Sequence, residues 1–189
     1  MDQCLRWMYR MIDLNSLKPL DLLGFLEEAL VEKRHPWSVF TLSTVDQACR
    51  PQSRSVVLRE VDAQGWLIRF YSDARSPKIL QLQHNPNVSL CFWNPLLKRQ
   101  LRAEGVATLM REPKAINERW ESVKNGPTVG DYTARLAPGS EVDPLVEFVE
   151  ENWFCVVEVN ISSFDLLQLN REGHQRVAVT PDRVTALVP

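Results

Sequence analysis

The stretch from Arg54 to Lys78 constrains this chain more than any other. Arg54-Ser-Val-Val-Leu-Arg59 has the β-branched and aliphatic centre of a strand. Asp62-Ala-Gln-Gly65 supplies turn residues, and Trp66-Leu-Ile-Arg-Phe-Tyr71 is a second run of strand formers. Ser76-Pro77-Lys78 then opens a helix, with serine at the N-cap and proline in the first turn. Three cations (Arg54, Arg59, Lys78), two hydroxyls (Ser72, Ser76) and the phenol of Tyr71 fall at or near the ends of these elements. Such a set suits a phosphate monoester, since guanidinium forks give bidentate charge-assisted bonds and a helix N-terminus favours an anion. The other reading of the same residues is a solvated hairpin edge with ordinary surface cations.

The rest of the chain repeats the short-strand pattern. Strands are predicted over Val39–Val45, Val88–Trp93, Arg99–Leu109, Gln175–Val179 and Val184–Val188. Further strands lie between Trp153 and Leu169, with a bend from Asn160 to Ser163. Leu22, Leu23, Leu26, Ala29 and Leu30 recur at helical spacing inside a first helix over Pro19–Lys33. Two more helices are expected over Glu112–Val123 and, behind Pro144, over Asp143–Glu151; Lys124–Gly130 reads as a loop, and Arg171–His174 as a hairpin turn. The expected architecture is mainly β with flanking helices: six or seven antiparallel strands closed into a barrel, since closure removes exposed edges. One domain over 1–189 is expected, with residues 1–35 as a helical cover and residues 36–189 as the barrel.

Composition narrows the function. A net charge of −2 gives no pull toward nucleic acid or an acidic membrane surface. Cys4, Cys49, Cys91 and Cys155 are far apart and form no CxxC, which argues against a metal site or disulfide framework and for a reducing, cytoplasmic setting. No run is long enough to span a membrane, and Asp2, Arg6, Arg10 and Asp13 interrupt any signal-peptide-like segment up to Leu17. Neither GxGxxG nor GxxxxGK[ST] occurs, so side chains would have to hold any phosphate.

Taken in order, Arg54-x-Val-Val-Leu-Arg59, Phe70-Tyr-Ser72, Ser76-x-Lys78, Asn85-Pro86, Arg99-Gln100 and His174-x-Arg176 resemble the pyridoxamine 5'-phosphate oxidase family from about Val39 to the C-terminus. The resemblance implies an FMN-binding split β-barrel, a homodimer with FMN at the subunit interface. It implies a flavoprotein oxidoreductase of pyridoxine biosynthesis, oxidising pyridoxamine or pyridoxine phosphate to pyridoxal phosphate with oxygen as acceptor. Carried over by position, it implies FMN contacts from Arg54, the following backbone at Val57 and Leu58, Tyr71, Ser72, Ser76, Lys78, Gln100 and Arg176. Arg59, Trp120, Lys124, Thr128 and His174 fall at substrate-binding positions.

The departures concern the substrate end. Arg59 stands for a lysine, Trp120 for a tyrosine, Lys124 for an arginine and Thr128 for a serine. Pro77 replaces an arginine beside the flavin phosphate, for which Arg75 could compensate. Leu136 and Ala137 replace a glutamine–serine pair, and Leu167 a tryptophan. An Arg-x-His pair becomes Arg171-x-x-His174, a spacing that puts the two on opposite strand faces unless Gly173 forms a bulge. His174 is the one acid–base candidate near the site; its alternative is a solvent-exposed turn histidine. Three alternatives stay open: another FMN-dependent reaction on this fold, flavin binding without turnover, and a cofactor-free β-barrel interaction protein.

Overall fold

The computed structural model describes Leu14, residues 16–142 and residues 145–189. Nine strands run in the order β1 (Val39–Val45), β2 (Pro51–Val57), β3 (Glu60–Asp62), β4 (Leu67–Asp73), β5 (Asn87–Asn94), β6 (Arg99–Leu109), β7 (Phe154–Gln168), β8 (Gln175–Thr180) and β9 (Arg183–Leu187). Among the described residues they are flanked by the helices α1 (Asp21–Val31), α2 (Pro77–His84), α3 (Pro113–Val123) and the single turn α4 (Gly130–Thr133). All pairings are antiparallel, along the path β2-β1-β5-β6-β7-β4-β3, with β8 and β9 branching from β7.

That branch splits the barrel. A strand has two edges, and β6 occupies one edge of β7 over most of its length. The other edge is shared: β4 pairs with Phe154–Asn160, and β8 pairs with Phe164–Gln168. The strands at the two ends of the path, β2 and β3, are separated in sequence by Leu58 and Arg59 alone, so the sheet must curl to bring them together. At this corner the Leu58 N–H donates to the Ser38 carbonyl (2.9 Å) and the Arg59 N–H to the Arg69 carbonyl (3.0 Å). No ladder joins β2 to β3 or β4 among the described residues. The full closure expected from the strand count is therefore not reached, and the barrel is split along this seam.

Phe40, Phe70, Phe92 and Phe164 fill the interior, with Leu42, Ile68, Leu90 and Leu101 fully buried around them. Leu22, Leu23, Leu26 and Ala29 form the buried face of α1, which packs against β3 and the 3-10 turn Pro36–Ser38.

Three departures from the sequence reading have local causes. The expected helix over Asp143–Glu151 is absent among the described residues, Asp143 and Pro144 lying outside them. There the β-branched and aromatic run wins: Phe148 bridges to Ala134, the Arg135 N–H donates to the Glu147 carbonyl (2.7 Å), and the Val149 N–H donates to the Thr133 carbonyl (2.9 Å). The bend expected at residues 160–163 is a β-bulge inside one continuous strand; Glu104 pairs with Ser163 and Gly105 with Ile161, leaving Ser162 as the extra residue. Trp66 belongs to the turn, with φ of 50°, so β4 starts one residue later than its pattern. Residues 1–13 and 15, part of the expected helical cover, lie outside the described residues.

Candidate functional site

Arg54 and Lys78 meet at one end of the barrel. Arg54 shares the inward face of β2 with buried Val56. Its guanidinium donates to Thr44 Oγ1 (2.7 Å) and the Leu42 carbonyl (3.2 Å) from Nη1, and to Gln81 Oε1 on α2 (2.7 Å) from Nη2. Ser72, the last residue but one of β4, faces inward, and Ser76 precedes α2; both are buried, with their hydroxyls 3.1 Å apart. The Lys78 ammonium donates to Ser72 Oγ (3.0 Å) and Ser76 Oγ (3.1 Å). Ser76 therefore does not spend its hydroxyl capping α2, as its N-cap position suggested, but on the lysine.

The electrostatics of this cluster are unbalanced. Burial, and then the neighbouring Arg54 charge, hold the Lys78 ammonium below the ordinary lysine range, and burial likewise lowers Arg54. Neither cation forms an ion pair among the described residues. The Cys155 thiol, which donates to the Ser72 carbonyl (3.3 Å), is pushed up to about 12, chiefly by burial. It stays protonated at neutral pH and supplies no counter-charge. Two half-buried cations and two hydroxyls without a carboxylate partner are the donor set a phosphate dianion needs. The nearby Asp73 is bound instead to Arg75 (2.6 Å). Arg75 also donates to the Ala134 and Arg135 carbonyls and stacks over Trp153, with its guanidinium carbon 3.3 Å from the ring centroid. Its guanidinium is engaged there with Asp73 and the Trp153 ring.

The remaining candidates fall into separate groups. Gln100, Leu167 and Arg176 are register partners in one row across β6, β7 and β8, with Trp93 beyond Gln100 on β5. This row points outward, alternating with buried Leu101, Leu166 and Val177. Arg176 grips Asp165 (2.6 Å), which also binds Arg102 (2.7 Å). The Arg176 bonds foremost, then Arg102, hold the Asp165 carboxyl below its ordinary value against the opposing effect of burial. A depressed carboxylate adds stability above its unfolded pKa and loses it as pH falls through the folded pKa. Asp165→Asn is expected to lower stability at neutral pH, only modestly because the pair is largely solvent-screened, and to leave it unchanged well below the carboxylate range, as read by denaturant melts at the two pH values.

Arg59, Tyr71, Trp120 and the missed residues Tyr132 and Phe154 surround one aromatic cluster. The Arg59 guanidinium carbon lies 5.6 Å from the Tyr71 ring centroid, and Phe154 contacts the Tyr71, Trp120 and Tyr132 rings at 4.9, 5.6 and 5.1 Å. The Tyr71 hydroxyl donates to Glu60 Oε1 (2.8 Å), a partner that sequence reading missed because Glu60 lies in a three-residue strand. Lys124, at the end of α3, pairs with Glu121 (2.5 Å) on the exposed side, and Thr128 sits half-buried in the following loop. Arg171 and His174 are both exposed in the β7–β8 connection, so the strand-face rule does not govern them; with Lys98, Leu169 and Asn170 they line one cavity of about 570 Å³. The His174 Nδ1 accepts from the Asn170 N–H (3.2 Å). Val57 is exposed and Leu58 buried at the corner. No group of His, Cys, Asp or Glu that could hold a metal occurs among the described residues.

Residues 23–111, which contain the whole Arg54–Lys78 cluster, match the pyridoxamine 5'-phosphate oxidase FMN-binding domain. The chain carries the FMN-binding domain of the pyridoxamine 5'-phosphate oxidase family. It is 40% identical over 143 residues to pyridoxine/pyridoxamine 5'-phosphate oxidase of Burkholderia thailandensis, covering 74% of this chain and 65% of that protein. It is 31% identical over 137 residues to a putative pyridoxamine 5'-phosphate oxidase of Caenorhabditis elegans, covering 72% of this chain and 54% of that protein. The chain thus spans between about half and two thirds of these relatives. Among solved structures, a pyridoxamine 5'-phosphate oxidase-related FMN-binding protein of Nostoc punctiforme superposes with a TM-score of 0.75 at 21% identity, over 92% of this chain and all of that one. PhzG of Burkholderia lata, solved with tetrahydrophenazine-1-carboxylic acid, superposes with 0.78 at 16% identity, over 95% and 98%. At these identities the two structures establish the shared split-barrel fold. FMN is the cofactor of this domain, and the uncompensated cations of the Arg54–Lys78 cluster fit its phosphate.

Proposed function

We propose that the chain is an FMN-dependent oxidoreductase that oxidises pyridoxamine or pyridoxine 5'-phosphate to pyridoxal 5'-phosphate, with oxygen as acceptor. The observation that carries this reading is the Lys78–Ser72–Ser76–Arg54 cluster, a phosphate seat whose two cations form no ion pair among the described residues. When bound, FMN would supply the two-electron redox chemistry at the substrate carbon that bears the amine or the hydroxyl. The protein's part is placement. Arg54, Lys78, Ser72 and Ser76 hold the cofactor phosphate, while Arg59, Trp120, Lys124 and Thr128 surround the substrate. His174, which accepts the Asn170 N–H at Nδ1, lines the cavity beside Lys98 and Arg171.

The site is proposed to be completed by a second copy. The phosphate cluster sits on the inward face of the sheet, and the Gln100–Arg176 row on the outward face of the same sheet. One flavin can meet both only if a partner contributes one of them. Val39, Val57 and Trp93, each more than 40% exposed on the outward face of β1, β2 and β5, support its burial in a homodimer. Free thiols at Cys49, Cys91 and Cys155 support a cytoplasmic setting.

Anaerobic addition of pyridoxamine 5'-phosphate to the FMN-loaded protein is expected to bleach the flavin absorbance, and air to restore it. Unphosphorylated pyridoxamine should bleach it far more slowly, because Arg59, Lys124 and Thr128 would have no anion to hold. A flavin that neither compound reduces would favour the second reading: FMN chemistry on another substrate. That reading is supported by Leu136, Ala137 and Leu167 at positions where the family has polar or aromatic groups.

A further inference from the structure

Helix α3 carries Trp120, ends just before Lys124 and has no buried residue. Its half-buried Ile116, Trp120 and Val123 rest on Tyr132, Phe154 and Val156. What fixes its orientation is a fork. Arg119 donates from Nε to Glu60 Oε1 (2.6 Å) and from Nη2 to Glu60 Oε2 (2.7 Å). The same carboxylate accepts the Tyr71 hydroxyl (2.8 Å) and Arg69 Nη1 (3.3 Å), and Arg69 in turn holds Glu158 (2.8 Å). Glu60 thus ties α3 to β4 from its place on β3. Bidentate arginine–carboxylate pairs of this geometry are directional, so they set an angle as well as a distance. None of these bonds reaches the Arg54–Lys78 cluster, which has its own partners.

We propose that Glu60 is a positioning residue for the substrate end of the site: through Arg119 it sets α3, and so Trp120, against Tyr132 and Phe154, the latter of which also contacts Tyr71, without acting on the cofactor phosphate. This rests on the function proposed above. Removing the fork leaves α3 on a shallow apolar contact, the kind of element that opens locally at low cost.

The test uses the full-length FMN-loaded protein with Glu60→Gln, Arg119→Gln and the double variant. Each single variant is expected to raise KM for pyridoxamine 5'-phosphate about tenfold with kcat within about twofold, the pattern of lost substrate placement. FMN affinity should stay within about twofold of wild type. Because both changes break one fork, the double variant should be no worse than the worse single. Amide exchange over residues 113–123 should quicken about tenfold, with β5 and β6 unchanged. An active wild type whose KM is unmoved in the variants would overturn the inference, as would FMN affinity and barrel exchange worsening in step with KM, which marks mere destabilisation. A wild type that binds FMN but does not turn over the B6 phosphate overturns the proposed function instead. The exchange data then still decide the fork, and unchanged protection of 113–123 in both variants would sink it.

Discussion

Replacing Arg54 and Lys78 together with alanine is expected to weaken FMN binding by at least about a hundredfold. Each charge-assisted bond to a phosphate is worth roughly 1.5–3 kcal/mol, and the double change removes at least one from each side chain. Ser72 and Ser76 would remain, but hydroxyls alone cannot balance a dianion. The loss should show in equilibrium quenching of flavin fluorescence. An unchanged affinity would mean that the phosphate sits elsewhere. The same cluster fixes a pH signature. FMN needs Lys78 protonated, and burial with Arg54 holds that lysine below its ordinary range. FMN affinity should therefore fall as pH rises through a value below the usual lysine one. The FMN-free chain should respond with the opposite sign. Between the folded and unfolded lysine values its unfolded state binds more protons, so Lys78 makes stability rise with pH there. Opposed trends with and without FMN are what an anion seat built from forced-together cations produces.

Gly105→Ala is the second large effect expected, and it falls on the fold. A Cβ at Gly105 would lie 2.3 Å from the Asn160 carbonyl oxygen and 3.1 Å from its carbon, and both are backbone atoms of β7. Neither can yield by a rotamer change. The contact sits beside the Ser162 bulge, where β6 and β7 change register. Relief requires moving the longest strand pairing in the molecule, so we expect a loss of about 3 kcal/mol or more, at the upper end for overpacked sites. Urea melts of wild type and variant would measure it. A change under about 0.5 kcal/mol, the range of ordinary surface substitutions, would show that the bulge adjusts freely.

How much of this was legible from residues alone depended on range. The strands Val39–Val45 and Arg99–Leu109 have the bounds their composition and alternation predicted, because a half-buried strand writes its period into the sequence. Arg54, Ser72, Ser76 and Lys78 could be grouped because they lie close in the chain and end adjoining elements. Glu60 could not. Three residues, Glu60-Val-Asp62, leave no periodicity to read, and the fork to Arg119 spans 59 positions. The segment after Pro144 misled for a physical reason. Proline and acidic residues signal a helix start, but Val146, Phe148 and Val149 prefer the extended chain, and a bridge to Ala134 was available. Arg176 showed a limit of another kind. Position placed it among cofactor ligands, yet its present partner is Asp165 on the neighbouring strand, a cross-strand choice that depends on register.

The proposed chemistry depends on the Arg54–Lys78–Ser72–Ser76 cluster binding the phosphate of FMN. The most direct measurement compares FMN with riboflavin, which lacks only that phosphate, by titration into wild type and Lys78→Ala. Wild type is predicted to prefer FMN by at least about a hundredfold, the equivalent of two charge-assisted bonds, with most of that preference gone in the variant. Equal affinity of wild type for FMN and riboflavin would contradict the claim.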